Sequence, residues 1–118
     1  MREETIGDCR LILGDCRELL GEVPADAVIV SDVPYGISYS AGGGGRGKWA
    51  KRYVGCNLVR GDDGPFDPSH LLRWRCLLFG ADHFARSLPM GGSFHVWDKH
   101  CGRGPADGFS DAEFFWTS

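Results

Sequence analysis

Residues 10–35 read RLILGDCRELLGEVPADAVIVSDVPY, and the succession of patterns within them decides the expected fold. Arg10 to Leu13 is a short apolar run that ends at Gly14-Asp15, a strand and its exit. Cys16, Leu19, Leu20 and Val23 then recur at i, i+3, i+4 and i+7, the spacing of one buried helical face. Asp15 stands at the N-cap position with Glu18 three residues on, as in a capping box. Pro24 cannot continue a helix and ends this one. Ala27 to Ser31 is short, apolar and rich in Val and Ile, which predicts a strand buried on both faces. It exits through Asp32-Val33-Pro34-Tyr35.

The rest of the chain repeats this alternation. A glycine-rich stretch over about 36–65 exceeds the ~12–15 residues usual for a connection without regular structure. Asp67-Pro68 resembles an N-cap with proline at the first helical position, opening a short helix through Leu71 and Leu72. Cys76 to Phe79 predicts a third strand, ending at Gly80. Ala81, Phe84, Ala85 and Leu88 predict a second helix, stopped by Pro89 and Gly91-Gly92. Ser93 to Trp97 predicts a fourth strand, with Phe94 and Val96 on one face. A loop over Asp98 to Ser110 leads to a last strand-like run, Glu113 to Thr117. Strands alternating with helices imply an α/β fold, a mostly parallel sheet with flanking helices. Ligands in such folds sit at the carboxyl ends of the strands. Three predicted strand ends carry polar or special groups: Gly14-Asp15, Asp32 to Tyr35, and Gly80-Ala81-Asp82-His83.

Composition narrows the class. The 118 residues suffice for one compact domain, and 42% hydrophobic with 25% charged residues is ordinary for a globular chain. No apolar run approaches the ~20 residues of a membrane span. Met1-Arg2-Glu3-Glu4 has no apolar segment behind it, so no signal peptide is expected and a cytoplasmic location is the default. The cysteines Cys9, Cys16, Cys56, Cys76 and Cys101 are odd in number and form no Cys-x-x-Cys pair, which suggests neither a disulfide framework nor a metal site. Net charge is −3, but Arg46, Lys48, Lys51, Arg52 and Arg60 fall between Gly36 and Gly61 without a single acid. Such a segment can face a phosphate backbone, or it can be a solvated loop.

Two motifs in the glycine-rich stretch are decoys. Gly42, Gly44 and Gly47 fit G-x-G-x-x-G, and Gly42 to Lys48 fits most of a phosphate-binding loop. Both need a strand directly before and a helix directly after. Neither context is predicted, and Trp49 stands where the second motif needs Ser or Thr.

Asp32-Val33-Pro34-Tyr35 at the end of a strand resembles the Asp-Pro-Pro-Tyr signature of the DNA amino-methyltransferases. The likeness extends in order to LILGDCRELL (Leu11 to Leu20), LFGADHF (Leu78 to Phe84) and FHVWDK (Phe94 to Lys99). SDAEFFWTS at Ser110 to Ser118 is similar to a further strand in phage and bacterial members. The resemblance implies a partial Rossmann-like methyltransferase sheet in a single partial domain over 1–118. It also implies methyl transfer from S-adenosylmethionine to a flipped base of DNA. Within the motif Asp32, Val33, Pro34 and Tyr35, Asp32 and the carbonyl of residue 33 would accept hydrogen bonds from the base's amino group, and Tyr35 would stack on the base. Val33 departs from the signature, keeping the carbonyl but losing proline's fixed φ. The Asp form of the motif leans toward adenine N6.

Asp15 has two readings, the N-cap above and, with Gly14, a contact to the donor's adenine. Asp82 stands where relatives often have Asn, so a donor role there is in doubt. Arg46, Lys48, Lys51 and Arg52, interleaved with Trp49 and Tyr53, would contact DNA. Nothing after Ser93 resembles the family's aromatic-x-Gly-x-Gly donor-binding turn or its target-reading segment. The expectation is therefore a truncated acceptor half, inactive alone or completed by a second chain that supplies the donor site. The competing readings are a non-catalytic α/β module that binds nucleic acid or a partner, and a nucleotide-binding protein that cradles phosphate in the glycine-rich loop.

Overall fold

A computed structural model describes residues 2–38, 59–100 and 111–118. Strands β1 (Arg2–Ile6) and β2 (Cys9–Leu13) form an antiparallel hairpin with Ile6 opposite Cys9. The hairpin was not expected, yet Gly7-Asp8 signals it. Glycine with φ 59° at the first turn position matches the twist of two antiparallel strands. Helix α1 (Cys16–Leu19) follows and runs into a 3-10 turn at Leu20–Glu22. Arg10 ties these pieces together through Glu3 and Glu22, each at 2.8 Å.

The second sheet contains β3 (Val28–Asp32), β4 (Arg75–Phe79), β5 (Ser93–Asp98) and β6 (Ala112–Thr117) in the order β3-β4-β6-β5. β3 and β4 are parallel, and β6 lies antiparallel to both β4 and β5. Five of the six strands fall where hydrophobic patterning places them.

The expected architecture does not form. A partial Rossmann-like sheet of mostly parallel strands with flanking helices requires several parallel pairs and long covering helices. Here β3–β4 is the one parallel pair among the described residues, and the sole α-helix is four residues long. The segment expected to be helical over 81–88 yields turns and a 3-10 turn at Ala85–Ser87. The one after Asp67 yields a 3-10 turn at Pro68–His70, although Asp67 does cap it through the Ser69 amide at 2.9 Å. Segments this short, cut by Gly21 with Pro24 and by Pro89 with Gly91, recover little of the cost of helix nucleation, and isolated helices under ~12–15 residues are marginal.

Thin cover leaves the sheet two-faced. On one side Cys76, Leu78 and Trp116 pack with Val33, Leu71, Ala81 and Phe84, and Ile29, Phe66 and Leu88 close the edge of this core. Trp74 anchors the segment after the 3-10 turn by donating its indole N–H to the Pro24 carbonyl at 2.8 Å. The other side is open. Val28 and Val30 were expected to be buried on both faces, but alternation along β3 turns them outward, 54% and 66% exposed. Asp32 shares that open face with Phe79, Phe115, Glu113 and Trp97 by register.

Candidate functional site

The open face ends in a row of polar groups. β3, β4 and β5 run in one direction and β6 runs against them, so the ends of the first three lie beside the start of β6. That edge brings together Asp32, Tyr35, Gly80, His83, Lys99 and Glu113. Two of the three expected strand exits therefore meet, those after β3 and β4. The third does not join them, because Gly14-Asp15 follows β2 in the separate hairpin sheet.

Tyr35 is the centre of the row. Its hydroxyl lies 2.8 Å from Asp32 Oδ1 and in hydrogen-bond contact with Glu113 Oε1. Its ring stacks on His83 with centroids 4.9 Å apart and planes at 16°. The ring crosses directly over Gly80, where a Cβ would collide with it, and Gly80 also holds φ 68°. The Gly80 amide donates to the Phe114 carbonyl at 2.9 Å, which fixes that crossing against β6. Lys99 Nζ reaches Glu113 Oε2 at 2.7 Å, so each Glu113 oxygen has a partner.

These contacts set the charges. Burial works to raise the Glu113 carboxyl, but hydrogen bonds from Lys99 and Tyr35 outweigh it and hold the group below its ordinary range. Burial, then the neighbouring Glu113 and Asp32, push the Tyr35 phenol well above its ordinary value, so it stays protonated through the physiological range. The Glu113 contribution to stability is present above the carboxylate's ordinary value and lost as pH falls through the lowered folded value. In acid unfolding followed by circular dichroism, Glu113→Gln is expected to lose less stability than the parent on going from pH 6 to pH 3. Equal losses would show that Glu113 is not a linked group.

The other sequence-derived candidates are placed as follows. Val33 is 7% exposed, with its side chain in the core. Pro34 is half-buried between Val33 and Tyr35. Asp15 is the N-cap of α1: it accepts from the Arg17 amide and the Arg17 Nε, each at 3.0 Å, and its second oxygen meets Arg17 Nη2. The Arg17 guanidinium pulls its carboxyl down to about 2. Both Asp15 oxygens are engaged by Arg17, which is the geometry the capping reading of Asp15 expects. Asp82 approaches His83 at 3.7 Å. Arg46, Lys48, Lys51 and Arg52, with the decoy glycines, Trp49 and Tyr53, lie outside the described residues.

Sequence reasoning missed two acids. Glu113 is the second residue of β6, and its sole signal was an acid near the start of an otherwise apolar strand. Asp62 is 2% exposed and accepts from the amides of Gly36 at 2.6 Å and Ile37 at 3.3 Å, while its carbonyl accepts from Ser38 at 2.7 Å. It thereby fastens the residues directly after Tyr35 to those directly after 59–61. No group of three or more His, Cys, Asp or Glu among the described residues could hold a metal ion. No helix among them is long and apolar enough to cross a membrane. No family model, curated protein or solved structure matches the chain.

Proposed function

We propose that this chain provides the acceptor site of a DNA amino-methyltransferase, taking the exocyclic amino group of adenine. What supports the reading above all is the meeting of Asp32 and Tyr35 with Gly80, His83 and Glu113 at one strand edge, on a sheet face open to a ligand. A carboxylate at Asp32 accepts from an amino group, and the half-buried, stacked Tyr35 gives a planar base a wall to lie against. Orientation of this kind is what direct transfer to nitrogen requires of the protein, and it needs no covalent intermediate. The methyl donor in this reading is held by a further segment or a second chain. The alternative is a non-catalytic module that binds nucleic acid or a partner protein and uses none of these side chains.

The two readings separate on a DNA duplex with 2-aminopurine at the target position. Under the acceptor-site reading the chain changes the probe's fluorescence on binding, and Tyr35→Ala abolishes that change while retaining salt-sensitive binding. Under the module reading, binding is lost on neutralising Arg46, Lys48, Lys51 and Arg52 and is indifferent to Tyr35→Ala. A chain that leaves the duplex untouched at low salt would sink both nucleic-acid readings. Titration with S-adenosylmethionine is expected to give no thermal shift for the chain alone. A ligand at ~100 times its dissociation constant would add about 2.7 kcal/mol, so a clear shift would place the donor site within this chain.

A further inference from the structure

Tyr35 has one hydroxyl hydrogen and two carboxylate oxygens in reach of it. Only one of them can receive it at a time. Glu113 is the better placed: it is the less exposed acid, and its second oxygen is held by Lys99 at 2.7 Å, which fixes the carboxylate against the phenol. With the hydrogen on that side, Asp32 Oδ1 faces the phenol oxygen at 2.8 Å with no hydrogen between them. Two oxygen acceptors that close repel unless a donor is shared with one of them. The arrangement is thus one hydrogen-bond donor short, and the shortage falls on Asp32.

We infer that Glu113, fixed by Lys99, is a positioning residue that draws the Tyr35 hydroxyl away from Asp32 and so reserves Asp32 for an N–H donor on the ligand. The inference rests on the acceptor-site reading for the identity of that donor, an amino group on a flat heterocycle. It assigns Glu113 a role through Tyr35 and no contact with the ligand. It also accounts for the Lys99 pair, whose position keeps Glu113 ionised and aimed at the phenol. The titratable groups around the hydroxyl are Asp32, Glu113, Lys99 and His83, from β3, β6, the segment after β5 and the turn after β4.

The test uses the full chain carrying Tyr39→Phe and Tyr53→Phe, which leaves Tyr35 as its one tyrosine. Tyrosinate absorbance against pH is recorded for this parent, for Glu113→Gln and for Asp32→Asn, with circular dichroism confirming each fold. Glu113→Gln is expected to lower the Tyr35 midpoint by about one pH unit or more, and Asp32→Asn by clearly less. Equal shifts, or the reverse order, would overturn the inference. If Glu113→Gln does not fold, Glu113→Asp keeps the charge and withdraws it by one methylene, with the same expected direction. The second readout is the carboxyl carbon resonance of Asp32 on adding 9-methyladenine, with 9-methylpurine as the probe lacking an amino group. A response to the first alone, weakened several-fold by Glu113→Gln, supports the inference. A response that Glu113→Gln leaves unchanged overturns it. Tyrosine shifts in the expected order with no Asp32 response to 9-methyladenine would overturn the reservation of Asp32, and with it the acceptor-site reading, while leaving the Glu113 to Tyr35 bond standing.

Discussion

Trp116→Ala is expected to leave the chain largely unfolded at room temperature. Trp116 is 2% exposed and lies in β6, the strand that joins β4 to β5, opposite Leu78 on one side and Phe94 on the other. Removing a buried aromatic costs about 3–5 kcal/mol, against a total stability of roughly 5–15 kcal/mol for an ordinary domain. This core is small, so the expected outcome lies toward full unfolding. The cavity would not collapse easily: Gly92 lies against the indole so closely that even a Cβ there would overlap it, and glycine has no side chain to move in. Urea denaturation followed by far-ultraviolet circular dichroism measures the loss. A midpoint within 0.5 M of the parent would mean that the Trp116 packing described here does not hold the sheet together.

Gly80→Ala is expected to produce the second-largest effect, and it would strike the site as well as the fold. At φ 68° a side chain costs about 1–2 kcal/mol before any contact is considered. The added methyl would then occupy space taken by the Tyr35 ring, and the backbone at Gly80 cannot retreat because its amide is bonded to Phe114. Tyr35 must give way, losing Asp32, Glu113 and the His83 stack together. The expected signature is joint: a stability loss above that of the backbone cost, and a Tyr35 titration that returns toward an ordinary phenol. Lost stability with an unchanged Tyr35 titration would show that the ring is not seated across Gly80.

Much of the strand pattern was legible because burial writes a simple code. Val28 to Val30, Cys76 to Leu78 and Phe114 to Trp116 are apolar runs bounded by turn residues, and strands formed there. Helices were over-read for a physical reason. Cys16 to Val23 and Ala81 to Leu88 have helical spacing over two turns, but periodicity over so few residues also fits successive tight turns. The sheet's direction was misjudged because a parallel and an antiparallel neighbour look alike within a single strand. Only pairing partners distinguish them, and Phe79 with Phe115 are far apart in sequence. The hairpin was missed because Arg2-Glu3-Glu4-Thr5-Ile6 has little apolar content, and all five residues are exposed.

The site was half legible. Asp32 and Tyr35 stood out from a local motif at a strand end, and Asp15 announced its cap through its neighbours. Glu113 could not be found that way. Its part depends on β6 returning between β4 and β5, which places a residue near the end of the sequence against a ring 78 positions earlier.

That same return governs the order in which the molecule can assemble. β4 and β5 do not touch through their own backbones; each finds its antiparallel neighbour in β6, which follows both in the sequence. A ribosome therefore exposes β3, β4 and β5 before the strand that unites them exists. Until then β4 has only β3 beside it, its other edge is unpaired, and Trp116 has not arrived to seal the core. Assembly waits on long-range closure, which is slow compared with local pairing. The interval before β6 docks is the period when a newly made chain is most exposed to misassociation and proteolysis.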